Sequence, residues 1–173
     1  MVWLYGAKST QETSKETARR LLALAVLEAW GWECLPPMER AEGGKPYFSH
    51  CPGYHFNLSH SGPYALCALS DGGEVGVDVE RMRPHRPSLP RYVMSEEEFA
   101  SFGGSWEEFT AIWTLKEAHA KYLGRSIWPP KEVSATPPVP HKVYAGEDWR
   151  AALCAEEEDL PDDILWRQVP VLT

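Results

Sequence analysis

No apolar run in this sequence approaches the roughly 20 residues a helix needs to cross a bilayer, so a membrane-spanning helix is not expected. The first residues hold neither a basic segment followed by an apolar one nor a small-residue cleavage pattern. Nothing there marks export, and a cytoplasmic location is expected. Cysteine is sparse: Cys34, Cys51, Cys67 and Cys154 lie far apart without paired metal-ligand spacing, and reduced thiols are the expectation. Basic residues are also in deficit, 17 against 25 acidic ones, for a net charge of -8. That balance argues against a general nucleic-acid binder, which needs a basic surface. A P-loop is missing too, because Gly44-Lys45-Pro46 lacks the spaced glycines and the hydroxyl after the lysine.

What the chain does have is a core. Forty-three per cent apolar residues and eight tryptophans exclude a disordered chain, and 173 residues suffice for one domain or two small halves sharing a core. Charge is unevenly placed. Arg81 to Ser95 carries four arginines (Arg81, Arg83, Arg86, Arg91) and His85 with no acid, whereas Glu156 to Asp163 carries six acids and no base. The basic stretch fits a small acidic partner or substrate, and a solvated loop fits it equally well on composition alone.

Val2 to Tyr5 reads as a strand ending at Gly6. Thr13-Ser14-Lys15-Glu16 reads as a capping box with Thr13 as cap, and Ala18, Leu21, Leu22, Ala25, Val26 and Ala29 follow at helical spacing up to Gly31. Pro36-Pro37 to Pro46 reads as a loop. Tyr54–Leu58 and Tyr64–Leu69 read as strands joined by a Ser59-His60-Ser61-Gly62-Pro63 loop, and with Val75–Glu80 they make a three-strand meander. Arg81–Pro90 is expected to be irregular. Ser95 caps a short helix, and Trp106 to Leu123 forms the second long one, closed by Gly124, with Phe109, Ile112 and Trp113 inward. Lys142–Tyr144, Trp149–Ala155 and Ile164–Val169 are strand candidates.

The chemistry concentrates in two pieces. Val75-Gly76-Val77-Asp78-Val79-Glu80 alternates, so its valines face inward while Asp78 and Glu80 share the other face, about 7 Å apart along the strand. In Trp113-Thr114-Leu115-Lys116-Glu117-Ala118-His119-Ala120-Lys121, the helical period stacks Trp113, Glu117 and Lys121 on one side. Carboxylates beside a lysine suit a hard cation holding a phosphate. Arg19 and Arg20 near the first helix start would meet a phosphate there, or are ordinary solvated arginines. His50, Cys51, His55 and His60 do not follow zinc-ligand spacing, and Ser59-His60 lacks the glycines of a nucleophile elbow.

Gly44-Lys45-Pro46, Phe56-Asn57-Leu58-Ser59-His60-Ser61-Gly62, Gly76-Val77-Asp78-Val79-Glu80 and Trp113-Thr114-Leu115-Lys116-Glu117-Ala118 with Lys121 stand in an order that resembles the 4′-phosphopantetheinyl transferase superfamily, in particular its Sfp-like, pseudo-dimeric branch. The resemblance implies an α+β fold of two pseudo-duplicated halves, residues 1–74 and 75–173, each with a long helix packed on a small antiparallel sheet. It implies magnesium-dependent transfer of 4′-phosphopantetheine from coenzyme A to a serine of an acyl or peptidyl carrier protein, with release of 3′,5′-ADP. By the same resemblance Asp78, Glu80 and Glu117 hold magnesium; Lys45, Ser59 and His60 contact the coenzyme A phosphates. Lys121 contacts the diphosphate and protonates the leaving group, and Glu98 stands near a carboxylate proposed as general base in some members. Arg81–Met94 receives the carrier protein.

The first half is shorter than is usual for that branch, and the basic residues longer members use for the 3′-phosphate are largely missing. Among Lys8, Lys15, Arg19 and Arg20, Arg20 is the expected substitute. No nucleic acid or membrane partner is expected, and a monomer is sufficient. Two rival expectations stand beside the transferase: a degenerate member that binds coenzyme A or a carrier without turnover, and a metal-dependent hydrolase of the diphosphate bond.

Overall fold

The computed structural model describes residues 1–170. β1 (Val2–Lys8) leads into α1 (Lys15–Trp30), whose Ala18, Leu21, Leu22, Ala25 and Val26 are buried at the expected spacing and whose end is closed by Gly31. The cap lies one residue later than the Thr13–Glu16 box expected from sequence. Ser14 Oγ accepts from the Thr17 amide at 3.2 Å, and Thr17 Oγ1 accepts from the Ser14 amide at 3.2 Å. Thr13 is not available to cap: its hydroxyl is buried against the Gly62 and Tyr64 carbonyls at 2.7 and 2.9 Å. Glu16 pairs instead with Arg20 one turn on.

The stretch expected as a loop after Pro37 contains a small antiparallel hairpin, β2 (Met38–Arg40) with β3 (Pro46–Phe48). β4 (His55–Ser61) and β5 (Tyr64–Ser70) form a hairpin whose two-residue turn is Gly62-Pro63. Gly62 sits at φ +53°, the positive-φ first position such turns favour. The turn is that tight because Ser59, His60 and Ser61 belong to β4 rather than to a loop.

β6 (Val75–Arg81) does not complete the expected meander. It pairs with β8 (Trp149–Ala155), which pairs in turn with β7 (His141–Ala145), giving a second sheet in the order β6-β8-β7. The first sheet runs β4-β5-β1-β9, with β9 (Leu165–Arg167) parallel to β1. The physical reason lies in the valine face of β6. Val75, Val77 and Val79 join Val2, Leu4, Leu66 and Ala68 in a core between the two sheets, so stacking buries that face where lateral pairing would leave it uncovered.

The remaining helices are α2 (Leu89–Val93), α3 (Glu96–Ser101), capped by Ser95 as expected, and α4 (Trp106–Tyr122), capped by Ser105. α1 packs on Tyr5, Phe56, Ala65, Cys67 and Leu69 of the first sheet. α4 packs on Ala152 and Cys154 of the second. The order of layers is therefore helix, sheet, sheet, helix, an α+β architecture. Gly76 decides how close α4 comes: a side chain there would collide with the Ala118 carbonyl and the Tyr122 amide. Among the described residues no helix is long and apolar enough to cross a membrane, and all four cysteines are free thiols.

Candidate active site

The site forms where the edge strands of the two sheets, β4 and β6, run side by side. One edge of β6 is paired with β8, which uses the main-chain groups of alternate residues. On the other edge, side chains replace a partner strand. Asn57 Oδ1 accepts from the Val77 amide at 2.9 Å, Ser59 Oγ from the Val79 amide at 3.1 Å and Ser61 Oγ from the Arg81 amide at 3.0 Å. Two lysines serve the carbonyls of the same edge, Lys45 Nζ donating to Val75 O at 2.8 Å and Lys121 Nζ to Val77 O at 3.1 Å. Buried peptide groups are thereby satisfied without main-chain pairing.

Alternation along β6 puts Gly76, Asp78 and Glu80 on the face covered by α4. Asp78 is 4% exposed. Its Oδ1 receives the Ser59 hydroxyl at 3.0 Å and the Lys121 ammonium at 2.9 Å, while its Oδ2, equally buried, has no hydrogen-bond partner among the described residues. Glu80 Oε2 accepts from Ser61 Oγ at 3.2 Å. Burial raises the Asp78 carboxyl above the usual range, opposed by Lys121 and the Ser59 hydrogen bond. Glu80 is pushed up to about 7 by burial and then by the charge of Asp78. Glu117, reaching in from α4, is also pushed up to about 7 by burial, then by Asp78, with Glu80 adding to the effect.

These carboxylates thus crowd one another without a ready-made coordination sphere: among the described residues no three His, Cys, Asp or Glu side chains already stand as a metal cage. The donor set nonetheless fits a hard divalent cation. It is all oxygen and acidic, and it includes one buried carboxylate oxygen left without a partner.

Two cavities meet at this cluster. The larger, about 590 Å³, is lined by Lys15, Arg19 and Leu22 of α1, Met38 and Arg40 of β2, Phe56, Ser59 and His60 of β4, and Asp78, Glu117 and Lys121. The smaller, about 290 Å³, lies on the other side of the carboxylates and is lined by Glu80, Arg83, His85, Leu89, Val93, Phe109, Trp113 and Glu117. Glu117 borders both. Both cavities are mixed in lining: the first sets Lys15, Arg19 and Arg40, with Glu16 among them, beside apolar walls and is of a size that holds a cofactor-like molecule, and the second sets Arg81, Arg83 and His85 beside Leu89, Val93 and Phe109. Partial burial, Lys121 and Lys15 together hold the His60 imidazole below its usual value.

Of the residues singled out in the sequence, Asp78, Glu80, Glu117, Lys121, Ser59 and His60 come together here. Three do not. Lys45 points away, with its ammonium on Glu74 at 2.5 Å and on Val75 O, and it borders neither of these two cavities. Arg20 pairs with Glu16 at 3.2 Å and donates to Pro170 O at 2.8 Å; the helical period turns it away from the cavity that Lys15 and Arg19 face. Glu98 is the counter-ion of Lys116, whose Nζ lies 2.9 and 2.8 Å from its two carboxylate oxygens. Lys116 is fully buried and also donates to Pro130 O and Val133 O at 2.9 and 2.7 Å.

Sequence reasoning missed Arg40, Ser61 and Lys116. Ser61 carried a signal, its two-residue spacing from Ser59, legible once that stretch is a strand. Lys116 carried one too, a lysine on the apolar stripe of Phe109, Trp113 and Ala120. Arg40 carried none, because only the β2–β3 hairpin, where it also donates to Gly44 O, brings it to the cavity wall that Lys15 and Arg19 line.

Comparison with known proteins bears on this geometry. The model of the 4′-phosphopantetheinyl transferase superfamily matches residues 74–159. The chain is 42% identical over 124 residues to the 4′-phosphopantetheinyl transferase AcpT of Salmonella typhi, covering 68% of this chain and 65% of that protein. It is 30% identical over 145 residues to a 4′-phosphopantetheinyl transferase of Bacillus subtilis, covering 71% and 64%, and 40% identical over 109 residues to AcpT of Escherichia coli K12, covering 59% and 56%. The chain spans less than two thirds of the length of these relatives.

Proposed function

Because this chain belongs to the 4′-phosphopantetheinyl transferase superfamily, we propose that it transfers the 4′-phosphopantetheine group of coenzyme A to a serine of an acyl or peptidyl carrier protein. The observation that carries this reading is the sharing of one carboxylate cluster by two cavities, with Glu117 on the wall of both. A phosphoryl transfer needs such a junction, with the donor phosphate on one side, the acceptor hydroxyl on the other, and charge neutralisation between.

In this reading coenzyme A lies in the larger cavity, its phosphates against Lys15, Arg19, Arg40 and His60. Asp78, Glu80 and Glu117 would hold magnesium, which supplies neutralisation of the diphosphate charge and polarisation of its phosphorus. The carrier serine enters from the smaller cavity, between the apolar walls of Leu89, Val93 and Phe109 and the basic rim of Arg83 and His85. Its hydroxyl oxygen attacks the phosphorus that bears pantetheine, and the bond to 3′,5′-ADP breaks. Glu117, a carboxylate bordering both cavities, is placed to take the serine proton. Lys121 offsets the charge growing on the departing 3′,5′-ADP and is its proton source. The long helix on each sheet supports reading residues 1–74 and 75–173 as pseudo-duplicated halves, with β9 of the second joining the sheet of the first, and with both cavities in one chain a monomer suffices.

Incubation with magnesium, coenzyme A and the apo carrier proteins of the same organism tests the proposal by intact mass. One carrier should gain the mass of a single phosphopantetheine as 3′,5′-ADP appears. No gain on any carrier overturns it, and 3′,5′-ADP released without an acceptor identifies a hydrolase instead.

A further inference from the structure

The row of side chains that β4 presents to β6 has two kinds of rung. Asn57 accepts from the Val77 amide and touches no carboxylate, because the preceding residue on β6, Gly76, has no side chain. Ser59 and Ser61 each do two things. Each hydroxyl accepts from a β6 amide, Val79 at 3.1 Å or Arg81 at 3.0 Å. Each donates to the carboxylate just before that amide, Asp78 Oδ1 at 3.0 Å or Glu80 Oε2 at 3.2 Å. A serine has one proton to donate. The amide fixes the hydroxyl as its acceptor, and the single proton is then directed at the carboxylate. The same arrangement recurs two residues on, in step with the strand.

Both serines engage one oxygen of their carboxylate and leave the other. For Asp78 the oxygen left is the buried Oδ2, without a partner among the described residues. We propose that Ser59 and Ser61 are positioning residues, each holding one oxygen of Asp78 or Glu80 so that the other is presented to the cation. Ser61 thereby enters the site as the residue that orients Glu80, and the Ser-His-Ser stretch works through its two serines on β6. The inference rests on the transferase reading, which supplies the cation.

Three variants test it: Ser61→Ala, Ser61→Thr and Asn57→Ala. The readouts are manganese affinity from the paramagnetic resonance of the free ion, amide hydrogen exchange at Val77, Val79 and Arg81, and KM and kcat for transfer. Ser61→Ala should weaken manganese binding roughly 10-fold, the size of effect seen when an outer partner of a metal ligand is removed. It should lower kcat with little change in KM for coenzyme A, and Ser61→Thr should restore both. Asn57→Ala should speed exchange at Val77 and lower the melting temperature while leaving manganese affinity within about twofold of the parent, since it touches no carboxylate. Two outcomes overturn the inference. One is unchanged manganese affinity in Ser61→Ala alongside faster exchange at Arg81; the other is equal weakening by Ser61→Ala and Asn57→Ala, which reduces the row to a structural seam. A parent protein that neither binds manganese nor modifies any carrier defeats the transferase reading itself, and the inference falls with it; that result is read before any variant is compared.

Discussion

The Lys121 ammonium lies 2.9 Å from Asp78 Oδ1 and 3.1 Å from the Val77 carbonyl oxygen, so one side chain from α4 grips both the main chain of β6 and the carboxylate that strand carries. The pair is unequally buried, with side chains 29% and 6% exposed. Lys121 therefore anchors α4 to β6 while its ammonium remains on the wall of the larger cavity.

Lys121→Met should separate these roles. Leaving Asp78 with one partner fewer should cost about 1–3 kcal/mol of stability in urea melts. Transfer should fall more steeply, by roughly 100-fold or more in kcat, through loss of the charge facing the leaving group. A variant with normal kcat would show that the ammonium only anchors the helix.

Stability should depend on pH through the carboxylate cluster. Glu80 and Glu117 are raised to about 7 from an ordinary 4.5, so the folded chain holds protons the unfolded chain has released. Stabilisation from this source is complete below about 4.5 and is lost as pH rises through about 7, on the order of 2–4 kcal/mol for each carboxyl. Without divalent cation, the protein should melt at a lower temperature at pH 8 than at pH 5.5. On the proposed role of these residues as magnesium ligands, the ion would bind their ionised form, so adding it should raise the pH 8 melting temperature selectively, by about 3 kcal/mol of stability at 100 times its Kd. Chelation should reverse the gain.

Glu98 should behave as a structural residue. Lys116 is wholly enclosed and Glu98 is its ion-pair partner; removing one member of a buried pair costs about 3–5 kcal/mol. Glu98→Gln should lower stability yet keep kcat within a few-fold in the folded fraction, and Lys116→Met combined with Glu98→Gln should recover part of the loss. A Glu98→Gln enzyme that melts normally but loses kcat would return Glu98 to the role of general base.

Charge reversal at Arg83 and Arg86 should raise KM for the carrier protein and leave KM for coenzyme A unchanged, because Arg83 borders only the smaller of the two cavities. The parent enzyme's KM for the carrier should rise with ionic strength, and the double variant should lose that dependence. Equal effects on both substrates would place the two binding sites together.

Much of the site was legible because it depends on local periodicity. The period of two along Val75–Glu80 put Asp78 and Glu80 on one face, and the period of 3.6 along α4 put Glu117 and Lys121 on one side. Helix caps were legible to within a residue: Ser95 was found, while Ser14 was displaced from Thr13 by the pull of the Gly62 and Tyr64 carbonyls 49 and 51 residues away. Gly76 marks a close approach whose other half, the backbone of α4, no local pattern names.

By itself, then, the sequence determined the two long helices, the strands from Val2, His55, Tyr64 and Val75, and which of their faces are apolar, together with the carboxylates and lysine that share one side of β6 and α4. Tertiary structure alone decided that β6 leaves the meander to stack its valines between two sheets, and that Asn57, Ser59 and Ser61 replace a missing strand. It also decided that Arg40 joins the basic wall while Lys45, Arg20 and Glu98 turn to other partners. The physical reason is range. Periodicity and capping are satisfied within a few residues of the chain, whereas a buried amide, a buried charge or an uncovered apolar face is satisfied by whatever the folded chain brings within about 3–4 Å.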